Sequence, residues 1–137
     1  MSILLNKLRL PGIPVSVSMY AVILSVIGIG LGISALLNPT SAVNYVEGAD
    51  AIAGAWAGRT LGLGLAMAAA VWMRSNTALT VTFIGAFFRE LGDIVGMIPT
   101  GQSTTVSVLA VFLVFDAIAV FLCIRSLTKP KHVNENT

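Results

Sequence analysis

Five charged residues lie inside otherwise apolar stretches of this sequence, and their types could support acid–base chemistry. They are two arginines and three carboxylic acids: Arg59, Arg89, Glu90, Asp93 and Asp116. Two arginines neutralise two carboxylates, so one acid is left in excess. A buried acid without a counter-ion can hold a proton at neutral pH. A protonated carboxyl beside an ionised one is the usual basis of general acid–base catalysis.

The same five residues also allow a purely structural interpretation. Arg89 could pair with Asp93, four residues further along the same helix face, and Arg59 could pair with Asp116. Ion pairs of this kind would fix how the helices sit against one another without performing any chemistry. The residue types leave both interpretations open.

The composition places these charges in a membrane protein. The chain is 56% hydrophobic and only 10% charged, whereas soluble domains carry about 25% charged residues. The net charge of +2, without a basic run, gives no indication of nucleic-acid binding. One cysteine, Cys123, and one histidine, His132, are too few for a cysteine or histidine metal site within the chain. We therefore expect no metal, no cofactor and no nucleic-acid partner.

Four apolar segments predict an all-α fold, an antiparallel four-helix transmembrane bundle. Each segment is near the ~20 residues that cross a bilayer as a helix, and short links make consecutive helices antiparallel neighbours. A membrane domain at 15–125 is predicted to contain helices at about 15–37, 51–73, 77–98 and 105–124. Residues 1–14 are expected at the cytoplasmic interface, and residues 126–137 are expected to form a disordered polar tail.

The basic residues predict the orientation of the bundle. Six lysines and arginines in the links and terminal segments all fall on one side: Lys7, Arg9, Arg74, Arg125, Lys129 and Lys131. The two links on the other side contain neither lysine nor arginine. The positive-inside rule therefore predicts a multi-pass protein with both termini in the cytoplasm.

The predicted depths bring the five charges into one region. At ~1.5 Å per residue, all five lie in the outer half or the middle of the bilayer and span roughly 10 Å along its normal. Apolar residues surround them, so we expect a pocket for a lipophilic small molecule with one polar or reactive group. We interpret Tyr20, Trp56 and Trp72 as interface anchors or packing residues rather than ligand contacts.

Small residues recur at every fourth position and predict close helix packing. The stripe on the second helix consists of Gly54, Gly58, Gly62, Ala66 and Ala70. Shorter stripes are formed by Gly28 and Gly32 on the first helix and by Gly92 and Gly96 on the third. We interpret these stripes as contacts within one chain, with a homodimer as the alternative.

Two short motifs resemble known membrane families. The stretches Gly58-Arg59-Thr60-Leu61-Gly62 and Phe88-Arg89-Glu90-Leu91-Gly92-Asp93, followed by Asp116, look like the small four-helix DoxX-like membrane proteins. They also resemble the small membrane epoxide hydrolases or cyclases that accompany fungal polyketide synthases. The second resemblance implies the opening of epoxides on lipophilic polyketides or terpenoids in secondary-metabolite biosynthesis.

The same charged residues could open an epoxide, by analogy with the Asp–Arg–Asp site of soluble limonene-type epoxide hydrolases. Asp93 and Asp116 would be base and acid in either order, with Arg59 or Arg89 between them, and Glu90 is an equal candidate. The sequence thus favours a cofactor-free membrane hydrolase, cyclase or isomerase. An accessory subunit of a larger complex and a small proton-coupled carrier are the alternatives.

Overall fold

Four helices follow one another along the chain: α1 (Val15–Leu37), α2 (Asp50–Trp72), α3 (Asn76–Met97) and α4 (Ser103–Thr128). The computed structural model describes residues 10, 12–38, 50–97 and 103–128, with side chains from residue 54 in α2 and from residue 105 in α4. These described residues contain no strand. The predicted all-α fold is confirmed, and each helix begins and ends within about four residues of its predicted limits.

A tight turn joins α2 to α3. The N–H groups of Arg74 and Ser75 donate to the carbonyl oxygens of Val71 (3.1 Å) and Ala70 (3.0 Å), which is the double hydrogen bond of a Schellman ending. Arg74 takes the left-handed conformation of that motif with a φ of 52°. The hydroxyl oxygen of Ser75 accepts a hydrogen bond from the N–H of Ala78 (3.1 Å) and so caps the start of α3.

The segment before α1 packs against the end of α4. Leu10 and Ile13 are both buried, and a Cβ added at Gly12 would lie 3.6 Å from the Cβ of Ser126. α4 continues to Thr128, beyond the apolar residues that predicted its end, because hydropathy marks the part of a helix suited to lipid and not its last hydrogen bond. Residues 126–128 are therefore helical instead of belonging to the predicted tail. The remainder of that tail and residues 1–9 lie outside the described residues.

Glycines on both helices bring α1 and α2 close together. A Cβ at Gly32 would lie 2.6 Å from the Cβ of Leu61, and one at Gly64 would lie 2.9 Å from the amide nitrogen of Ile29. Gly28 contacts Gly64, whereas Gly32 contacts Leu61, so the contacts run in opposite order along the two helices. The predicted packing role of the α1 glycines is confirmed.

The predicted α2 stripe does not make this contact through its glycines. A Cβ at Gly54, Gly58 or Gly62 would meet nothing within 4 Å among the described residues, and the same holds for Gly92 and Gly96 on α3. Two residues along a helix correspond to a rotation of about 200°, which is why Gly64 and not Gly62 faces α1. Among the described residues, these five glycines therefore do not make the close contacts predicted for them within the chain.

The buried apolar core occupies one half of the bundle. It is built where α1 and α3 begin and where α2 and α4 end, together with the segment before α1. Its buried members are Leu10, Ile13, Val17, Ala21, Met67, Ala70, Leu79, Phe83, Ala86, Ala119 and Cys123. Arg74 and Arg125 lie toward this end of the helices. Most of the five charged residues singled out in the sequence lie beyond the core, in the other half.

Two of the four helices are long and apolar enough to cross a membrane. They are α1 and the part of α4 from Thr105 to Thr128. Within the described residues, α2 and α3 do not reach the same apolarity, because α2 carries Arg59 and several glycines and α3 carries three charged residues. The structure thus contains two candidate membrane spans.

Candidate functional site

A cavity of about 140 Å³ lies between the four helices in the half of the bundle beyond the core. Residues from all four helices line it, and most of them are apolar. The lining residues are Leu24, Ile27, Gly28, Leu31, Trp56, Thr60, Leu63, Gly64, Met67, Ala86, Arg89, Glu90, Asp93, Leu109 and Phe112. The glycine contact between α1 and α2 forms part of the wall, so the same packing that joins these helices shapes the cavity.

The polar part of the wall consists of Thr60 on α2 and of Arg89, Glu90 and Asp93 on α3. The Nη2 of Arg89 donates a hydrogen bond to the Oε1 of Glu90, and the two form an ion pair. Glu90 is 2% exposed and Thr60 is 3% exposed. The Glu90 Oε2 and the Thr60 Oγ1 have no hydrogen-bond partner among the described residues. The wall of the cavity therefore contains a buried carboxylate oxygen and a buried hydroxyl in mostly apolar surroundings.

A second ion pair connects α2 to α3 at the edge of the cavity. The Nη2 of Arg59 lies 2.6 Å from the Oδ1 of Asp93. The Arg59 side chain is 47% exposed and that of Asp93 is 14% exposed. Asp93 lines the cavity, whereas Arg59 is not among its lining residues. Arg59 thus holds Asp93 from outside.

Asp116 belongs to a separate polar contact between α1 and α4. It is 1% exposed, and the hydroxyl of Tyr20 donates a hydrogen bond to its Oδ1 at 2.9 Å. The Tyr20 ring stacks on Phe83 with ring centroids 5.8 Å apart, and Phe115 lies at the same centroid distance with a tilted ring. Arg89 interacts electrostatically with both Tyr20 and Asp116. The hydrogen-bond partner of Asp116 is therefore the hydroxyl of Tyr20 and not an arginine in direct contact.

The structure brings together three of the five charged residues singled out in the sequence. Arg89, Glu90 and Asp93 line one cavity, Arg59 reaches it through Asp93, and Asp116 is not among the lining residues. The two ion pairs seen among the described residues join Arg59 to Asp93 and Arg89 to Glu90, and neither is one of the pairs suggested by the sequence. Residue number predicts how far along a helix each charged side chain lies. Which side chains form ion pairs depends in addition on the rotation of each helix about its own axis.

Three polar or aromatic residues have roles that sequence reasoning missed. Trp56 and Thr60 line the cavity, and Tyr20 is the hydrogen-bond partner of Asp116. Thr60 directly follows Arg59 within one of the two motifs, and this position in the sequence could have indicated that it lies near the site. For Tyr20, the signal was a polar aromatic residue within an apolar helix of a chain whose buried acids need partners.

The cavity can hold an apolar molecule and present one polar group of that molecule to a carboxylate. Glu90 can accept a proton or a hydrogen bond, and the adjacent guanidinium of Arg89 can stabilise negative charge.

Searches for relatives gave no result: no protein-family model, no curated protein and no solved structure matches the chain.

Proposed function

We propose that the chain is a multi-pass membrane protein in which all four helices span the bilayer as an antiparallel bundle. Large apolar side chains are exposed on every helix; examples are Leu37, Trp72, Phe88 and Phe121, each more than 60% exposed. Apolar surface on all sides is compatible with lipid as the solvent and is rare on soluble monomers. Arg59 of α2 pairs with Asp93 of α3, and Arg89 pairs with Glu90 within α3, which lowers the cost of placing these four charges in the bilayer.

In this arrangement both termini lie in the cytoplasm, and the cavity opens in the outer half of the membrane. Single cysteines at positions 75 and 102, in a Cys123→Ala background, test the orientation with a membrane-impermeant maleimide. Ser75→Cys should be labelled only after the membrane is permeabilised, and Gln102→Cys should be labelled in intact cells. Labelling of both positions from the same side would exclude the four-span topology.

For the activity, we propose a cofactor-free enzyme that opens an epoxide on a lipophilic small molecule, by hydrolysis or cyclisation. The observation that carries this proposal is the buried carboxylate of Glu90, whose Oε2 has no hydrogen-bond partner among the described residues and which borders an apolar cavity. A buried acceptor left without a partner is unfavourable for folding alone. A role as a catalytic base would account for a buried carboxylate oxygen that is left unpaired.

In the proposed reaction Glu90 acts as the general base. It takes the proton of a water molecule or of a substrate hydroxyl while that oxygen attacks one carbon of the epoxide. The bond between that carbon and the epoxide oxygen breaks, and Arg89 stabilises the negative charge on the departing oxygen. The protonated Glu90 then returns the proton to that oxygen. Base catalysis of this kind contributes a factor of about 10² to 10⁴ in rate.

The activity is tested with the purified protein in lipid nanodiscs and a terpenoid epoxide, by following the loss of epoxide by mass spectrometry. The proposal predicts conversion to a diol or a cyclic alcohol at a rate above that in empty nanodiscs. If a panel of lipophilic epoxides of different sizes stays intact, the enzyme proposal fails. Uptake of a lipophilic compound into liposomes only under a pH gradient would instead identify a proton-coupled carrier.

An accessory role in a larger complex is the second candidate, and one observation favours it. Five glycines of α2 and α3 would meet nothing within 4 Å in the part of the chain that the structure describes, so a helix of another chain could approach them closely. A partner that co-purifies in equal amount from the native membrane would support this candidate. A monomer or homodimer that converts epoxide alone would exclude it.

A further inference from the structure

Two residues that line the same apolar cavity each carry a buried polar atom without a hydrogen-bond partner among the described residues. These atoms are the Oε2 of Glu90 and the Oγ1 of Thr60, which belong to α3 and α2. Both residues are more than nine-tenths buried. Buried polar atoms of this kind are normally satisfied. A ligand that satisfies both atoms would therefore gain two hydrogen bonds in surroundings where water is scarce.

The chemistry of the two atoms restricts the ligand group. The carboxylate of Glu90 only accepts, so the ligand must offer a donor. The hydroxyl of Thr60 can donate, so the ligand gains most if the same group also accepts. An ether or a ketone lacks the donor, an ammonium lacks the acceptor, and a carboxylate would be repelled by Glu90. A hydroxyl supplies both functions on one oxygen.

We propose that the cavity binds an apolar molecule through a single hydroxyl group, which donates to Glu90 and accepts from Thr60. This inference rests on the proposed function and names the substrate class more closely, as lipophilic epoxides that also carry a hydroxyl group, which is the group that Glu90 would deprotonate. The cavity volume of about 140 Å³ is close to that of an engineered apolar cavity of ~150 Å³ that binds benzene. The enclosed part of the ligand is therefore about the size of one ring.

Trp56 gives a direct signal for this site. It lines the cavity, and Trp72 is the only other tryptophan of the chain. In a Trp72→Phe background, bromine-containing ligands that enter the cavity should quench the fluorescence of Trp56. Three probes of similar size separate the ligand groups: 4-bromophenol donates and accepts, 4-bromoanisole accepts only, and bromobenzene does neither. Titration into nanodiscs, with empty nanodiscs as the partition control, gives an affinity for each.

The expected result is saturable quenching by 4-bromophenol, with an affinity at least about tenfold higher than that of the other two probes. Thr60→Val and Glu90→Gln should each reduce that preference. Thr82→Val is the matched control, because the Thr82 hydroxyl donates to the Ala78 carbonyl and does not line the cavity. This control should keep the preference unchanged.

Equal quenching by all three probes, or quenching that never saturates, would overturn the proposal. So would a preference for the phenol that survives in both Thr60→Val and Glu90→Gln, or one that Thr82→Val removes equally. The measurement needs no turnover, so its outcome is separate from that of the epoxide assay. A protein that prefers the phenol but converts no epoxide overturns only the proposed activity, and one that converts epoxides without the preference overturns only this inference.

Discussion

Replacing Gly64 with alanine tests the packing that joins α1 to α2 and forms a wall of the cavity. A Cβ at this position would lie 2.9 Å from the amide nitrogen of Ile29, 3.1 Å from the carbonyl carbon of Gly28 and 3.1 Å from the carbonyl oxygen of Ser25. All three are backbone atoms, which cannot move aside as a flexible side chain could. Ordinary contact begins at 3.4 Å, so α1 must move away from α2 by about 0.5 Å.

A gap of about 0.5–1 Å forfeits roughly a quarter to a half of the dispersion attraction of the atoms concerned. Forcing an extra carbon into a packed interface costs about 1–3 kcal/mol. We therefore expect Gly64→Ala to lower the free energy of unfolding by about 1–3 kcal/mol. Gly62→Ala is the matched control two residues away, since a Cβ there meets nothing within 4 Å among the described residues. We expect this variant to be no less stable than wild type, because alanine favours helix.

The assay is unfolding by sodium dodecyl sulfate in mixed micelles, followed by circular dichroism of the helices. Each variant is compared with wild type under the same detergent conditions. The two variants differ only in the position of one methyl group. If Gly64→Ala is as stable as Gly62→Ala, the close contact between α1 and α2 is not the packing that supports the cavity.

Three further predictions use the same unfolding measurement. Tyr20→Phe should cost about 1–2 kcal/mol, because the buried Asp116 loses its hydroxyl donor; an unchanged stability would mean that Asp116 does not depend on this bond. Arg89→Met should cost about 3–5 kcal/mol by leaving the carboxylate of Glu90 buried without its counter-ion, and adding Glu90→Gln should recover part of that loss. Equal stabilities of the single and double variants would contradict this pairing. Ser75→Ala should cost about 1 kcal/mol through the lost cap of α3, and a neutral result would show that the turn does not need it.

The helix limits could be predicted from the sequence because local features determine them. Pro14 precedes α1, Ser75 caps α3, and the apolar stretches between the polar links have nearly the length of the observed helices. The relative heights of the charged residues along each helix could also be predicted, since height follows from residue number at a fixed rise per residue. Arg89, Glu90 and Asp93 lie close together on α3 and line one cavity.

The partners of each side chain could not be predicted, because they depend on the rotation of each helix about its axis. A step of one residue turns the side chain by about 100°, so a small error in rotation replaces one neighbour by another. This explains why Gly64 and not Gly62 contacts α1, and why Asp93 pairs with Arg59. It also explains why the role of Tyr20 was missed: its bond to Asp116 joins residues that are 96 positions apart.

The most direct test of the central claim compares three amide variants in the epoxide assay: Glu90→Gln, Asp93→Asn and Asp116→Asn. We expect the largest loss for Glu90→Gln, of at least about 100-fold in rate, because this variant removes the carboxylate that acts as the general base. Asp116→Asn should retain most of the activity of wild type per folded molecule, because Asp116 does not line the cavity. Full activity of Glu90→Gln, with loss of stability alone, would contradict the claim that this carboxylate acts on a molecule held in the cavity.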